Sequence, residues 1–83
     1  MLLAKIYVTL KPGVLDPQGE AVGNGLKAMG YKDVTSVRVG KYLELQLDTD
    51  DKSYAEEKVD EMCRRLLANP VIEKYRYTLE EQR

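Results

Sequence analysis

The chain has 83 residues, 43% hydrophobic and 33% charged, the size and make-up of one ordinary globular domain spanning residues 1–83. Fourteen acids against 13 bases leave a net charge of −1, which gives no electrostatic reason to expect nucleic acid or an anionic membrane as a partner. There is no His and only one Cys, which excludes a His-based general acid or base, a Ser–His or Cys–His nucleophile pair, an intrachain disulfide and a Cys-cluster metal site.

A domain this small buries only about 60–65% of its unfolded surface, so its own core is marginal and oligomerisation is a common remedy. No apolar run approaches the ~20 residues of a membrane span. The opening MLLAKIYVTL alternates and lacks a signal peptide's basic start and uniform apolar stretch, so a cytoplasmic location is expected.

Residues 2–10 alternate, with Leu2, Ala4, Ile6, Val8 and Leu10 on one face and Lys5, Tyr7 and Thr9 on the other, which predicts a half-buried strand. Asp16-Pro17 then reads as a helix start: Asp16 caps free amides and Pro17 takes the first helical position. The helix is expected to run to about Met29, stopped by Gly30, with Val22, Leu26 and Met29 as its buried stripe. Gly19, Gly23 and Gly25 weaken it by about 1 kcal/mol each relative to Ala, so either something packs very close or neighbours hold it.

Residues 34–48 carry Val37, Val39, Leu43, Leu45 and Leu47, all odd-numbered. A two-residue hairpin turn at Gly40-Lys41 would put the two arms' apolar residues on opposite faces. One long strand with Gly40 as a bend, or a three-residue loop, keeps all five together. Residues 53–68 predict the strongest helix. Its cap is Ser53 in a box with Glu56, or else Asp50 or Asp51. Its stripe is Ala55, Val59, Met62, Cys63, Leu66 and Leu67, and Asp60→Arg64 and Glu61→Arg65 pair on its exposed side. Asn69-Pro70 ends it, residues 71–78 read as a last strand, and LEEQR reads as a solvated tail.

The order β-α-β(long strand or β-β)-α-β is that of an α+β, ferredoxin-like two-layer sandwich with helices on one sheet face. The other face is expected to carry Tyr7, Arg38, Tyr42, Glu44 and Gln46, with tyrosines of the last strand nearby, an amphipathic surface suited to a partner. A long central strand could also reach beyond its own subunit and help build a symmetry-related sheet.

Most candidate sites have plain readings. Glu56, Glu57, Asp60 and Glu61 read as a solvated helix face, and Cys63 as a small core residue. VGKY at residues 39–42 lacks the further glycines of a phosphate loop. Tyr75 and Tyr77, without a basic face, read as sheet packing. KPGVLDPQG is at least a strand-to-helix turn with a proline-started helix.

Four blocks resemble one family in wording and order: LKPGVLDPQGEAV at residues 10–22, Gly30-Tyr31, VRVGKY at residues 37–42 and MCRRLLANPVIEKY at residues 62–75. The family is PurS, the small subunit of phosphoribosylformylglycinamidine synthase from purine biosynthesis. The resemblance spans nearly the whole chain and is weakest after Tyr75. It implies a complex that converts formylglycinamide ribonucleotide, glutamine and ATP to the formylglycinamidine. A separate glutaminase subunit releases ammonia, and a separate large synthetase subunit uses ATP and magnesium. The PurS-like chain is then a bridge between them, with no catalytic residue, metal or cofactor of its own, and self-associates as dimers or dimers of dimers. Pro12, Gly13, Asp16 and Pro17 become interface candidates, joined by Arg38, Lys41, Tyr42, Asn69 and Pro70, which also fall in the matching blocks.

Two other readings compete. PGVL at residues 12–15 also resembles the first loop of ACT-type amino-acid sensors, which share the element order, although Asp16-Pro17 and NPVIEKY fit PurS better. An RNA-binding domain of similar topology fails on charge and on the absence of base-stacking motifs.

Overall fold

A computed structural model describes residues 1–82. Five main elements follow in order: β1 (Leu2–Leu10), α1 (Pro17–Ala28), β2 (Lys41–Leu47), α2 (Lys52–Met62) and β3 (Glu73–Glu81). The strands form one antiparallel sheet in the order β2-β1-β3, with Ile6 opposite Leu43 and Tyr77. The molecule is α+β and ferredoxin-like.

Alternation in β1 does what the pattern requires. Leu2, Ala4, Ile6 and Val8 are at most 1% exposed and face α2. They pack with Val59 and Cys63, both fully buried, and with Ala68. Leu43, Leu45 and Leu47 of β2 and Tyr75, Tyr77 and Leu79 of β3 flank this core, half-buried. The expected ion pairs Arg64–Asp60 and Arg65–Glu61 form at 2.9 and 3.0 Å on the exposed side of α2.

One of the expected cap alternatives for α2 is realised, and three local expectations need correction. Asp51 caps α2 by accepting the Tyr54 amide at 3.1 Å, and Ser53 lies inside the helix, so the Ser53–Glu56 box is not used. After Met62 the helix widens into a π-type turn, Cys63–Leu67, closed by Ala68 N–H donating to Cys63 O at 2.9 Å. One extra residue in that turn rotates the stripe, so Ala68 is buried while Leu66 is 82% exposed. The last strand starts at Glu73 rather than residue 71 and runs through Leu79 to Glu81. Most of the expected tail is therefore strand, because β1 is long enough to pair it, with Leu2 opposite Glu81; Arg83 lies outside the described residues.

The third correction concerns α1. It begins and ends as read, with Asp16 at its cap and Gly30 at φ 102° just beyond it. Its stripe is not buried within the chain: Val22 is 44% and Met29 72% exposed, and Leu26 is only half-buried. α2 packs on β1 and β3, whereas α1 lies against residues 34–39. Those residues form neither a hairpin arm nor a sheet strand within the chain, and β2 starts only at Lys41. The parity survives: Val37, Val39, Leu43, Leu45 and Leu47 are all half-buried between exposed neighbours. The result is an open molecule. Its radius of gyration is 16.2 Å, with extents of 48 × 30 × 14 Å. A compact chain of this length would have a radius of about 12 Å.

Candidate functional site

The exit of β1 is built by short-range chemistry. Val14 N–H donates to Lys11 O at 3.1 Å across Pro12-Gly13. Proline pre-sets the first inner position of such a turn, and the second needs positive φ, which Gly13 supplies at 87°. Three residues on, the Asp16 carboxylate accepts two amides: Gly19 N–H on Oδ1 at 2.8 Å and Val39 N–H on Oδ2 at 2.9 Å. One buried side chain thus caps α1 and fastens it to the segment before β2. The bond from Val39 and then that from Gly19 hold the Asp16 carboxyl below its usual range, aided by the Arg38 charge. Pro17 opens the helix without losing a bond.

Residues 34–39 dock so closely on α1 that a Cβ on Gly19 would run into Val37 O. Gly23 also faces Val37, so two of the three helix glycines answer to a close neighbour, while Gly25 has open space. Arg38 is not on the sheet face. It reaches back and donates from Nη1 to Val14 O at 3.1 Å, because residues 34–39 follow α1 rather than the sheet.

The Asn69-Pro70 turn meets the same corner. Asn69 Oδ1 accepts the Val71 amide, and Asn69 O accepts those of Ile72 and Glu73. Lys11 joins the two loops, its amide donating to Ile72 O at 2.8 Å and its Nζ to Pro70 O at 2.6 Å. Lys41 stands opposite Val8 and Tyr42 opposite Tyr7. Pro12, Gly13, Asp16, Pro17, Arg38, Lys41, Asn69 and Pro70 therefore gather around the end of β1, and Tyr42 lies one row in, on the sheet face away from α2.

That open face carries Leu3, Lys5, Tyr7 and Thr9, with Tyr42, Glu44 and Gln46 on one side and Lys74, Arg76, Thr78 and Glu80 on the other. Tyr42 donates to Glu44 at 2.9 Å, and Lys5 pairs with Glu80 at 3.1 Å. The tyrosines of β3 are not on it. Tyr75 and Tyr77 point toward α2, where their hydroxyls donate to Asp60 at 2.7 Å and to Glu56 O at 3.3 Å. Strand alternation decides this: Tyr75 pairs with Val8, whose side chain is in the core, so Lys74 and Arg76 take the open face. Sequence reasoning missed Lys11, Lys74 and Arg76; the even-odd pattern of β3 was the available signal for the last two.

Burial pushes the Cys63 thiol up, and the bond to Asp60 pushes the Tyr75 hydroxyl up to about 12. Asp60 and Glu61 bond to Arg64, Arg65, Lys58 and Tyr75 rather than to a common ligand. Among the described residues no group of three or more Cys, Asp or Glu side chains could hold a metal ion. What the corner offers is exposed turn backbone, cations and a fixed shape, the equipment of a contact surface.

Comparison with known proteins gives one consistent answer. The family model PurS, phosphoribosylformylglycinamidine (FGAM) synthase, matches residues 3–81. The chain is 55% identical over 71 residues to a phosphoribosylformylglycinamidine synthase subunit PurS from Synechocystis, covering 86% of this chain and 71% of that one. It is similar to the structure of Bacillus subtilis PurS, with a TM-score of 0.87 and 52% identity over 98% of this chain and 100% of that one. A chain in the structure of PurLQS from Thermotoga maritima matches at a TM-score of 0.84 and 31% identity, over 96% of this chain and 99% of that one.

Proposed function

The chain belongs to the PurS family, as a phosphoribosylformylglycinamidine synthase subunit of purine biosynthesis, and from that premise we propose that it bridges a glutaminase subunit and an ATP-dependent synthetase subunit. The observation that carries this reading is the near full-length match to a chain solved within the PurLQS assembly. In this division of labour glutamine is hydrolysed on one partner. The ammonia released there attacks the amide carbon of formylglycinamide ribonucleotide on the other, after ATP and magnesium have activated the amide oxygen. This chain supplies no group to either step. It holds the two partners in one cytoplasmic complex through the corner around Asp16, where rigid, hydrogen-bonded loops lose little entropy on docking. Amidine formation by the cognate synthetase and glutaminase tests it. Glutamine-driven turnover should depend strongly on adding this chain, while ammonia-driven turnover should not. Equal glutamine-driven rates with and without the chain would overturn the reading.

The self-association in this reading is an exchange between two copies. Three features of a single chain support it. Among the described residues, 34–39 have no sheet partner although their side chains alternate, and no strand pairs with the outer edge of β2. The stripe Val22, Leu26 and Met29 of α1 is left to solvent. An apolar groove of about 510 Å³, formed mainly by Leu45, Met62, Leu66 and Leu67, opens beside α2. A second copy fills each gap with the matching piece of itself: its residues 34–39 beside β2, and its α1 in the groove. The exchange leaves the face with Tyr7, Tyr42 and Arg76 open.

A further inference from the structure

We infer that the basic end of the open sheet face receives an acidic, extended segment of one of the larger subunits. The inference rests on the assembly reading above and adds the chemistry of one contact. Lys74 and Arg76 of β3 take the open face opposite Thr9 and Tyr7 and, with Tyr42, border a cavity of about 480 Å³. Among the described residues no carboxylate lines it. Among the described residues neither of these two cations is in an ion pair, whereas Lys5, Lys52, Lys58, Arg64 and Arg65 each meet a carboxylate. A chain with net charge −1 therefore concentrates unmatched positive charge at one place.

Arg76 is also prepared for a ligand. Its guanidinium sits over the Tyr7 ring, 4.0 Å from the centroid, and Tyr7 in turn contacts Tyr42 at 5.0 Å between centroids. Stacking fixes the planar cation without using its N–H donors, which remain free for a carboxylate fork. At the other end of the same face Lys5 is already matched by Glu80, so the charge is directional along the strands. The site is a sheet face rather than an enclosed cleft. A lone small anion would keep most of its water there, whereas a chain laid across the face also covers the two tyrosine rings. The patch adjoins the corner where Lys11 ties the Pro70 turn to β1, so a subunit seated on those loops can extend onto it.

The test is the affinity of this chain for its cognate synthetase and glutaminase subunits, by calorimetry at about 0.05 M and about 0.3 M salt. The wild type is compared with K74E/R76E and with the neutral K74Q/R76Q, each checked by circular dichroism. Wild-type affinity should fall with salt. Charge reversal should cost on the order of tenfold or more, the neutral variant less, and both should flatten the salt dependence. Wild-type association with unchanged affinity and salt slope in both variants overturns this inference alone; no association of the wild type overturns the assembly reading itself. Inorganic phosphate shifting the resonances of Lys74 and Arg76, with assembly of the variants intact, would make this a small-anion site and equally overturn it.

Discussion

Asp16 does more than a helix cap requires. Asp-Pro made the cap legible, because a short acceptor before a proline-started helix has a local signature. The second bond, to Val39 N–H, was not legible, since it spans 23 residues and depends on where residues 34–39 run. Its consequence is a pH-dependent contribution to stability. The folded-state pKa of Asp16 is lowered, so its contribution to stability is fully present above the unfolded value of about 3.9 and is lost as pH falls through the folded value. Urea midpoints measured from pH 7 down to about pH 3 should decline for the wild type and decline less for Asp16→Asn, which has no charge to lose. Parallel curves for the two proteins would mean that Asp16 is not the linked group.

At the scale of elements, strands were read better than helix faces. In β1 the alternation fixed both the element and its buried side, because a period of two leaves one solution once a core exists. In α1 the stripe was found but its burial was not, because a stripe says only that a helix wants a partner, not that its own chain provides one. In α2 the π-type turn broke the rule that carries the pattern forward, so Leu66 was misplaced and Ala68 overlooked. Glycines in α1 can be separated by the same reasoning. A Cβ on Gly25 would meet only open space, so Gly25→Ala should raise stability by about 0.5–1 kcal/mol through helix propensity alone. Gly19→Ala gains the same propensity but drives a Cβ into Val37 O, so it should destabilise and loosen residues 34–39. Chemical denaturation of the two variants, with amide exchange at Val39, checks both signs.

For the molecule as a whole, openness is the fact that needs an explanation. A radius of gyration of 16.2 Å, an unpaired alternating segment and an open apolar groove are costs that a marginal 83-residue core cannot offset alone. The parity of residues 34–47 points to how two copies remove them. Val37 and Val39 share a face with Leu43, Leu45 and Leu47, so cross-strand partners must be odd with odd. An antiparallel pair of these segments from two copies meets that condition with Val37 opposite Leu43 and Gly40 opposite Gly40. Within one chain the same register needs a loop longer than Gly40 alone, because Lys41 is already committed to pairing with Val8. Lengthening that connection is therefore a direct test. Inserting Asn-Gly after Gly40 makes a three-residue loop with Val39 opposite Lys41, a permitted hairpin in the same register. The wild type should sediment as a dimer or dimer of dimers and show a melting temperature that rises with protein concentration. The insertion variant should close on itself, sediment as a compact monomer and lose the concentration dependence, because a strained short hinge favours exchange and a relaxed one does not. A folded variant that remains as associated as the wild type would show that the copies meet through another surface.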